Sequence, residues 1–301
     1  MTEYCYPETI EEAVRQLEQR HGEARVIAGG TDVLPDLRKG KIRPSCLVDV
    51  TRILELGQVT VDDGFVNVGA AVTFAALRKH TFLREHVHAL VEGAGSVGAG
   101  AIQHAATWVG NIVQAMPAAD GAIVALALDA EAQIVDGAGA RWELVEGLFE
   151  GPGCSTVDPT REIVTRLRFP RPGPGTGTAW RRVGRRSALV LPILNCAVRV
   201  DLEAGGDVDS RGQADQLRIA DVSIVLGPVA PRPSRARGAE AYLRGRPPRP
   251  EFLERAGEIA RGESNPRSSV MRASRAYRLD IVPTLVSDAL AEAVERATGG
   301  T

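Results

Sequence analysis

One short glycine turn constrains the fold more than any other feature of this chain. The segment Ala28-Gly29-Gly30-Thr31-Asp32 lies between a predicted strand at 25–28 and a predicted helix at 32–39, and a second strand is predicted at 46–50. This order indicates a parallel strand–helix–strand unit. Adjacent glycines permit positive φ, and successive backbone N–H groups can form a concave nest for phosphate. The turn therefore predicts a site for a phosphorylated cofactor, with an ordinary tight turn as the alternative.

A second segment offers similar chemistry later in the chain. Thr107-Trp108-Val109-Gly110-Asn111 supplies a hydroxyl, an open backbone and an amide, and we predict a second turn there after a glycine-dense loop at 93–100. Asp120 precedes a predicted buried helix at 121–130, where it can accept hydrogen bonds from ribose or cap the helix. Neither turn has the spacing of a dinucleotide-binding or P-loop glycine motif.

The rest of the chain reads as alternating helices and strands. Apolar alternation and turn residues predict hairpins at 58–69 and 133–145. Prolines and glycines at 170–177 indicate a linker before a second, smaller α+β region. In that region strands are predicted at 179–183, 196–202 and 217–226, and helices at 237–243, 251–262 and 284–297.

Composition excludes several classes of protein. The 301 residues carry a formal charge of −2 and only 4% aromatic side chains, which argues against nucleic-acid binding. We expect no membrane span and no signal peptide. The four cysteines are far apart with no CxxC pair, and the five histidines form no metal motif, so we predict no metal site and a cytoplasmic location.

The two turns and the sequence around them resemble the FAD-binding subunit of the molybdenum hydroxylases. That family includes the flavin subunits of carbon monoxide dehydrogenase and 4-hydroxybenzoyl-CoA reductase and the flavin domain of xanthine dehydrogenase. The resemblance covers roughly residues 3 to 296, and no cysteine-bearing insertion is present, so the carbon monoxide and xanthine dehydrogenase types are more similar. The segments that carry it are Ala28–Leu34, Leu47–Val50, Ile102–Asn111, Met116–Asp120, Ala125–Ala130, Arg185–Arg186 and Leu226–Pro233.

The resemblance implies an α+β fold of the vanillyl-alcohol-oxidase type, with two FAD-binding lobes and a small C-terminal α+β domain. It places the FAD-binding domain at 1–175, with lobes of about 1–55 and 56–175, and the C-terminal domain at 176–301. It also implies which residues meet FAD. These are Ala28, Gly29, Gly30, Thr31 and Asp32 at the pyrophosphate, Thr107, Gly110 and Asn111 beside it, Asp120 at the ribose, Ile163 near the isoalloxazine, and Arg181 at the flavin or a pyridine nucleotide.

Two departures from the family pattern affect the expected site. Val109 replaces the first of two glycines, and Trp108 replaces a small aliphatic residue. Because a β-branched residue tolerates positive φ poorly, either position 109 needs no positive φ or the loop is rearranged. Trp108 can stack on the cofactor or pack in the core. After Arg185-Arg186 the family often has an acid that the segment 187–190 lacks.

The resemblance implies an electron-transfer subunit that takes electrons from [2Fe–2S] clusters of one partner and passes them through FAD to NAD or another acceptor. A molybdopterin subunit would oxidise the substrate, and the whole would be a dimer of heterotrimers. No catalytic residue or metal ligand is predicted in this chain. A free-standing FAD-dependent oxidoreductase and a non-redox nucleotide-binding protein remain as alternatives.

Overall fold

The computed structural model describes residues 2–186, 189–204 and 217–299. Its chain divides into two compact units, unit 1 with Met1–His80, Ala94–Met116 and Asp129–Arg171, and unit 2 with Thr81–Gly93, Pro117–Leu128 and Pro172–Thr301. The strands are β1 Glu3–Cys5, β2 Ala24–Ile27, β3 Cys46–Asp49, β4 Val59–Val61, β5 Phe65–Gly69, β6 Glu131–Asp136, β7 Gly139–Leu144, β8 Phe149–Gly151, β9 Cys154–Ser155, β10 Ile163–Pro170, β11 Thr176–Val183, β12 Leu194–Glu203, β13 Arg218–Gly227 and β14 Ser234–Arg235. The α-helices are α1 Ile10–Gln19, α2 Val33–Arg38, α3 Phe74–Lys79, α4 Thr81–His86, α5 His88–Ser96, α6 Gly100–Ala105, α7 Trp108–Val113, α8 Asp120–Ala127, α9 Arg237–Leu243, α10 Pro250–Glu263 and α11 Arg275–Ala297.

Unit 1 contains the predicted strand–helix–strand segment around the first glycine turn. β2 and β3 pair in parallel, with Ala24 opposite Cys46 and Ile27 opposite Asp49, and α2 lies between them in the chain. β1 adds in parallel on the other side of β3, giving the order β1-β3-β2. The first glycine turn therefore follows the carboxyl end of β2, as predicted.

An antiparallel sheet of order β4-β5-β10-β6-β7 forms another part of unit 1. It contains both predicted hairpins, β4–β5 and β6–β7. Aspartate side chains close their turns: Asp62 accepts the N–H groups of Gly64 and Phe65, and Asp136 accepts that of Gly139. These local bonds satisfy N–H groups that cannot join the ladder where the chain reverses.

The second glycine segment forms the start of a helix, so the prediction of a turn at 107–111 is wrong. Thr107 is the N-cap of α7, and its hydroxyl oxygen accepts the N–H of Gly110 at 3.0 Å. The predicted loop at 93–100 is also partly helical, because α5 continues to Ser96. Trp108 is fully buried and meets Phe169 edge-on at 6.1 Å between ring centres, so its indole belongs to the core of unit 1.

Unit 2 is built on an antiparallel sheet of order β11-β12-β13-β14. One hydrophobic cluster joins buried side chains of this sheet to those of α9, α10 and α11, for example Val198, Ile224, Ala256 and Leu290. All eight residues of α8 are buried, in agreement with the buried helix predicted at 121–130. Among the described residues, no helix is long and apolar enough to cross a membrane.

The C-terminal helix is longer than the sequence predicts. α11 begins at Arg275 rather than at Thr284, and Pro283 lies inside it. A proline removes one helical N–H group, so sequence patterns favour a helix that starts after it. Gly257 of α10 lies beside Pro283, and a Cβ on this glycine would be 2.5 Å from the Pro283 carbonyl oxygen. The glycine therefore permits the close packing of α10 on α11 that stabilises the longer helix.

Candidate functional site

A cavity of about 330 Å³ lies within unit 1 and is lined by both glycine segments. The first segment contributes Ala28 to Val33, and the second contributes Thr107 and Val109 to Asn111. Val164 of β10 and Ala70 complete part of the apolar wall. The structure thus brings together eight of the predicted cofactor residues, namely Ala28, Gly29, Gly30, Thr31, Asp32, Thr107, Gly110 and Asn111.

Gly29 and Gly30 are required by the fold of the cavity wall itself. A Cβ on Gly29 would lie 1.9 Å from the carbonyl oxygen of Ala105, so any side chain would push the two backbone segments apart. Gly30 has φ +68°, in the left-handed region that favours glycine. The first turn therefore brings its backbone close to the second segment before any ligand is considered.

The first glycine turn carries three successive backbone N–H groups next to the cavity. Those of Gly29, Gly30 and Thr31 donate no hydrogen bond to an acceptor within the described residues. Asp32 is the N-cap of α2, and its side chain makes no capping hydrogen bond. Three successive donors beside a cavity suit a ligand that accepts hydrogen bonds, such as a phosphate.

The second segment presents side chains from the first turn of α7. Because the oxygen of Thr107 accepts the N–H of Gly110, its O–H remains to donate, while the Asn111 side chain brings an amide to the cavity lining. Val109 lies inside the helix and has no positive φ. The replacement of glycine by valine is therefore tolerated, because this position needs no special backbone conformation.

Charged groups of both signs line the cavity. Burial lowers the pKa of Arg25, opposed by the nearby carboxylates of Asp36 and Asp158, and Arg25 Nε has no hydrogen-bond partner among the described residues. Burial, together with the Asp36 carboxylate, raises the pKa of Asp32. Sequence reasoning missed Arg25 and Glu162 as lining residues. The sequence did offer a signal for Arg25, because a basic residue on the strand before a glycine turn can add positive charge to an anion site at that turn.

Three other predicted cofactor residues do not line this cavity. Ile163 is buried in β10, whereas Glu162 and Val164 on either side of it line the cavity. Because side chains alternate along a strand, Ile163 faces the opposite side of the sheet. Asp120 and Arg181 belong to unit 2. In that unit Arg181 Nη2 pairs with Glu292 Oε2 at 2.8 Å.

Asp120 is a buried carboxylate within unit 2. It is the first residue of α8, but the N-cap is Ala119 and Asp120 makes no capping bond, so the capping alternative is not found. Its Oδ1 accepts a hydrogen bond from Asn195 Nδ2 at 2.6 Å, and Arg182 Nε lies 3.9 Å from the same oxygen. Burial raises the pKa of Asp120 to about 6, although Asn195 and Arg182 act to lower it.

Two family models match most of the chain. A model described as the FAD binding domain in molybdopterin dehydrogenase matches residues 1–172. A second, the CO dehydrogenase flavoprotein C-terminal domain, matches residues 179–293. The two matches follow one another along the chain in the order that the resemblance implies.

Individual relatives match over nearly their whole length. The xanthine dehydrogenase FAD-binding subunit of Escherichia coli O157:H7 is 31% identical over 293 residues, which cover 97% of this chain and 95% of the relative. The carbon monoxide dehydrogenase medium chain of Hydrogenophaga pseudoflava is 25% identical, and the match covers 96% of this chain and 95% of the relative. A solved carbon monoxide dehydrogenase of that organism, lacking the Mo-pyranopterin moiety of its cofactor, matches with a TM-score of 0.87 and 26% identity over 98% of both chains. This likeness confirms the predicted fold class.

Proposed function

Because the chain belongs to the FAD-binding subunits of the molybdopterin dehydrogenases, we propose that it is the electron-transfer subunit of a molybdopterin-dependent oxidoreductase complex. In this role electrons arrive from [2Fe–2S] clusters on a partner subunit and leave to NAD or another acceptor. The observation that carries the proposal for this chain is the cavity of unit 1, which is lined by Gly29, Gly30 and Thr31, whose backbone N–H groups have no hydrogen-bond acceptor within the described part of the chain.

The residues around the cavity fit the diphosphate of FAD. The N–H groups of Gly29, Gly30 and Thr31, which find no acceptor in the ranges that the structure describes, can donate to phosphate oxygens. The hydroxyl of Thr107 and the amide of Asn111 can add donors from the facing segment, and Arg25 adds positive charge. Bound FAD supplies the redox chemistry, and the protein supplies its position and electrostatic environment.

Roles for the remaining predicted residues form part of the same proposal. Asp120 would hold the ribose through a carboxylate that Asn195 orients by its hydrogen bond. Ile163 would lie near the isoalloxazine, and Arg181 would meet the flavin or a pyridine nucleotide. We also propose the domain boundary between residues 175 and 176, with lobes of about 1–55 and 56–175.

The proposed complex contains an iron–sulfur small subunit and a molybdopterin large subunit, arranged as a dimer of heterotrimers. Relatives named as the medium chain of carbon monoxide dehydrogenase and the medium subunit of nicotine 6-hydroxylase support a place in a complex of this kind. We further propose a cytoplasmic location. The four free cysteines support it, because thiols persist in reducing compartments.

Purification of the native complex, followed by assays for flavin, molybdenum and iron, tests this function. We expect all three to co-purify with the chain, and we expect the isolated chain to retain flavin but not to oxidise substrate. An isolated monomer that turns over substrate would favour the free-standing oxidoreductase instead. A pure chain without flavin absorption, which also fails to take up added FAD, would favour the non-redox alternative.

A further inference from the structure

The sheet at the N-terminal end of unit 1 brings two cysteine thiols into contact. Cys5 of β1 and Cys46 of β3 have their Sγ atoms 2.7 Å apart, although 41 positions separate them in the sequence. Their strands are parallel neighbours, with Glu3 opposite Cys46 and Cys5 opposite Val48. Cys5, Glu3 and Cys46 therefore share one face of the sheet. The spacing of the cysteines in the sequence does not indicate this pairing.

The two thiols differ in their surroundings. Cys46 is fully buried, and burial together with the Cys5 thiol raises its pKa to about 12, so it remains protonated. Cys5 is only half-buried and lies 3.9 Å from Arg20 Nη2. Cys5 is therefore the thiol that a reagent from solution reaches first, with Cys46 directly behind it.

The geometry favours a sulfur–sulfur bond over a metal ion. Glu3, Cys5 and Cys46 are the one group of possible metal ligands found within the described part of the chain, but the Glu3 carboxylate is already paired with Arg20 at 2.6 Å. Two sulfurs on a tetrahedral zinc ion lie about 3.7 Å apart, given Zn–S bonds of about 2.3 Å. A disulfide needs about 2.05 Å, so the observed contact requires a smaller movement to reach it.

We propose that Cys5 and Cys46 are a thiol oxidation site that takes a hydroperoxide and forms a reversible disulfide. The Cys5 sulfur attacks one oxygen of hydrogen peroxide and breaks the O–O bond, which turns Cys5 into a sulfenic acid, while the thiol proton leaves with the other oxygen as water. The Cys46 sulfur then attacks the Cys5 sulfur, and the Cys46 proton passes to the sulfenic hydroxyl, which leaves as a second water. Two thiols lose two electrons and two protons, and the peroxide is reduced to two waters. A small dithiol reduces the disulfide back to two thiols by exchange and is itself oxidised to a cyclic disulfide.

The cross-link has a consequence for the proposed cofactor site. The chain between Cys5 and Cys46 contains the first glycine turn at Ala28–Asp32. A bond that closes this long loop restricts the unfolded chain and raises the unfolding temperature, by roughly 5 °C for a protein of this size. Oxidation is therefore expected to stabilise the part of unit 1 that carries the turn.

The test uses the full chain with Cys154→Ser, because the exposed Cys154 thiol is open to peroxide and would add to the thiol loss. Cys196 is kept, because it is fully buried. After treatment with hydrogen peroxide, thiols are counted in denaturant and linked peptides are mapped by mass spectrometry. We expect the thiol count to fall from three to one, a Cys5–Cys46 linked peptide, the higher unfolding temperature, and full reversal by dithiothreitol. Oxidation of Cys154 in the wild-type chain shows that the peroxide was active.

A second variant separates the chemistry from any effect on folding. Cys5→Ser in the same background changes the half-buried partner and leaves the buried Cys46 in place. It should show the folded circular dichroism spectrum, no linked peptide and no rise in unfolding temperature. The proposal is overturned if the parent variant keeps three thiols, if Cys5 reaches sulfinic acid without a link, or if Cys5→Ser shows the same temperature rise.

Discussion

The predicted cofactor-binding groups of unit 1 and of unit 2 differ in the hydrogen bonds and ion pairs that they already make within the protein. In unit 1 the N–H groups of Gly29 to Thr31 have no acceptor among the described residues, so a phosphate can bind them without breaking a bond. In unit 2 Asp120 already accepts from Asn195, and Arg181 already pairs with Glu292. Since a ligand must compensate for any bond it displaces, affinity for the cofactor is expected to come mainly from unit 1.

The largest expected effect comes from Gly29→Ala. Its Cβ would lie 1.9 Å from the Ala105 carbonyl oxygen, so we expect the free energy of unfolding to fall by roughly 3 kcal/mol or more, with loss of bound FAD. Gly110→Ala is the matched control, because its Cβ meets only the Thr107 hydroxyl, at 3.0 Å, within a helix. Its stability should stay within about 1 kcal/mol of the wild type. Equal losses in urea unfolding would contradict the account of Gly29.

Asp120→Asn tests what it costs to bury the ionised Asp120 carboxylate in unit 2. Burial raises the pKa of Asp120 from 3.8 to about 6, so its contribution to stability is full below pH 4 and is lost as the pH rises through 6. We expect the free energy of unfolding of the wild type to fall by roughly 3 kcal/mol over this pH range. The asparagine variant has no group that titrates there, so it avoids this fall, and its side-chain oxygen can still accept the hydrogen bond from Asn195. The stability of the variant relative to the wild type should therefore increase between pH 4 and pH 7. Parallel stability curves from urea unfolding at each pH would rule out this burial effect.

Thr31→Val sharpens the role of the first turn by removing one hydroxyl at nearly constant shape. Thr31 lines the cavity, and we expect the dissociation constant for FAD to rise about tenfold, which corresponds to about 1.4 kcal/mol. Titration of the apoprotein followed by flavin fluorescence measures this change. Unfolding without FAD serves as the control, and because the Thr31 hydroxyl hydrogen-bonds the adjacent Asp32 carboxylate, the free energy of unfolding should fall by no more than about 1 kcal/mol. An unaltered dissociation constant would remove Thr31 from the proposed site.

Arg181→Gln should give the smallest effect. The Arg181 side chain is 44% exposed in its pair with Glu292, so its loss should change stability by no more than about 0.5 kcal/mol. We expect FAD content close to that of the wild type. If this variant lost as much FAD affinity as Thr31→Val, the contrast between the two units would fail.

Much of the fold could be predicted because its signals are local. The hairpins at 58–69 and 133–145 follow from turn residues between alternating strands, and the first glycine turn follows from its place between a strand and a helix. The second glycine segment was predicted wrongly as a turn, because Gly110 sits inside a helix that Thr107 caps. The start of α11 was missed because Pro283 favours a later start, whereas Ser274 caps the helix at its true beginning and Gly257 lets α10 pack beside Pro283.

The candidate site was predicted in part. Both segments that line the cavity were found from residue types, but the physical need for Gly29 depends on Ala105, which no local pattern reveals. The contact between Cys5 and Cys46 depends on the sheet order β1-β3-β2, so sequence spacing cannot indicate it. The acid expected near residues 187–190 is absent from the sequence, and residues 187 and 188 lie outside the described part of the chain.

A crystal structure of the chain with FAD tests the central claim most directly. The account predicts diphosphate oxygens within about 3.2 Å of the backbone nitrogens of Gly29, Gly30 and Thr31, in the cavity shared with Thr107 and Asn111. A diphosphate bound elsewhere, with these three N–H groups facing only water, would contradict it.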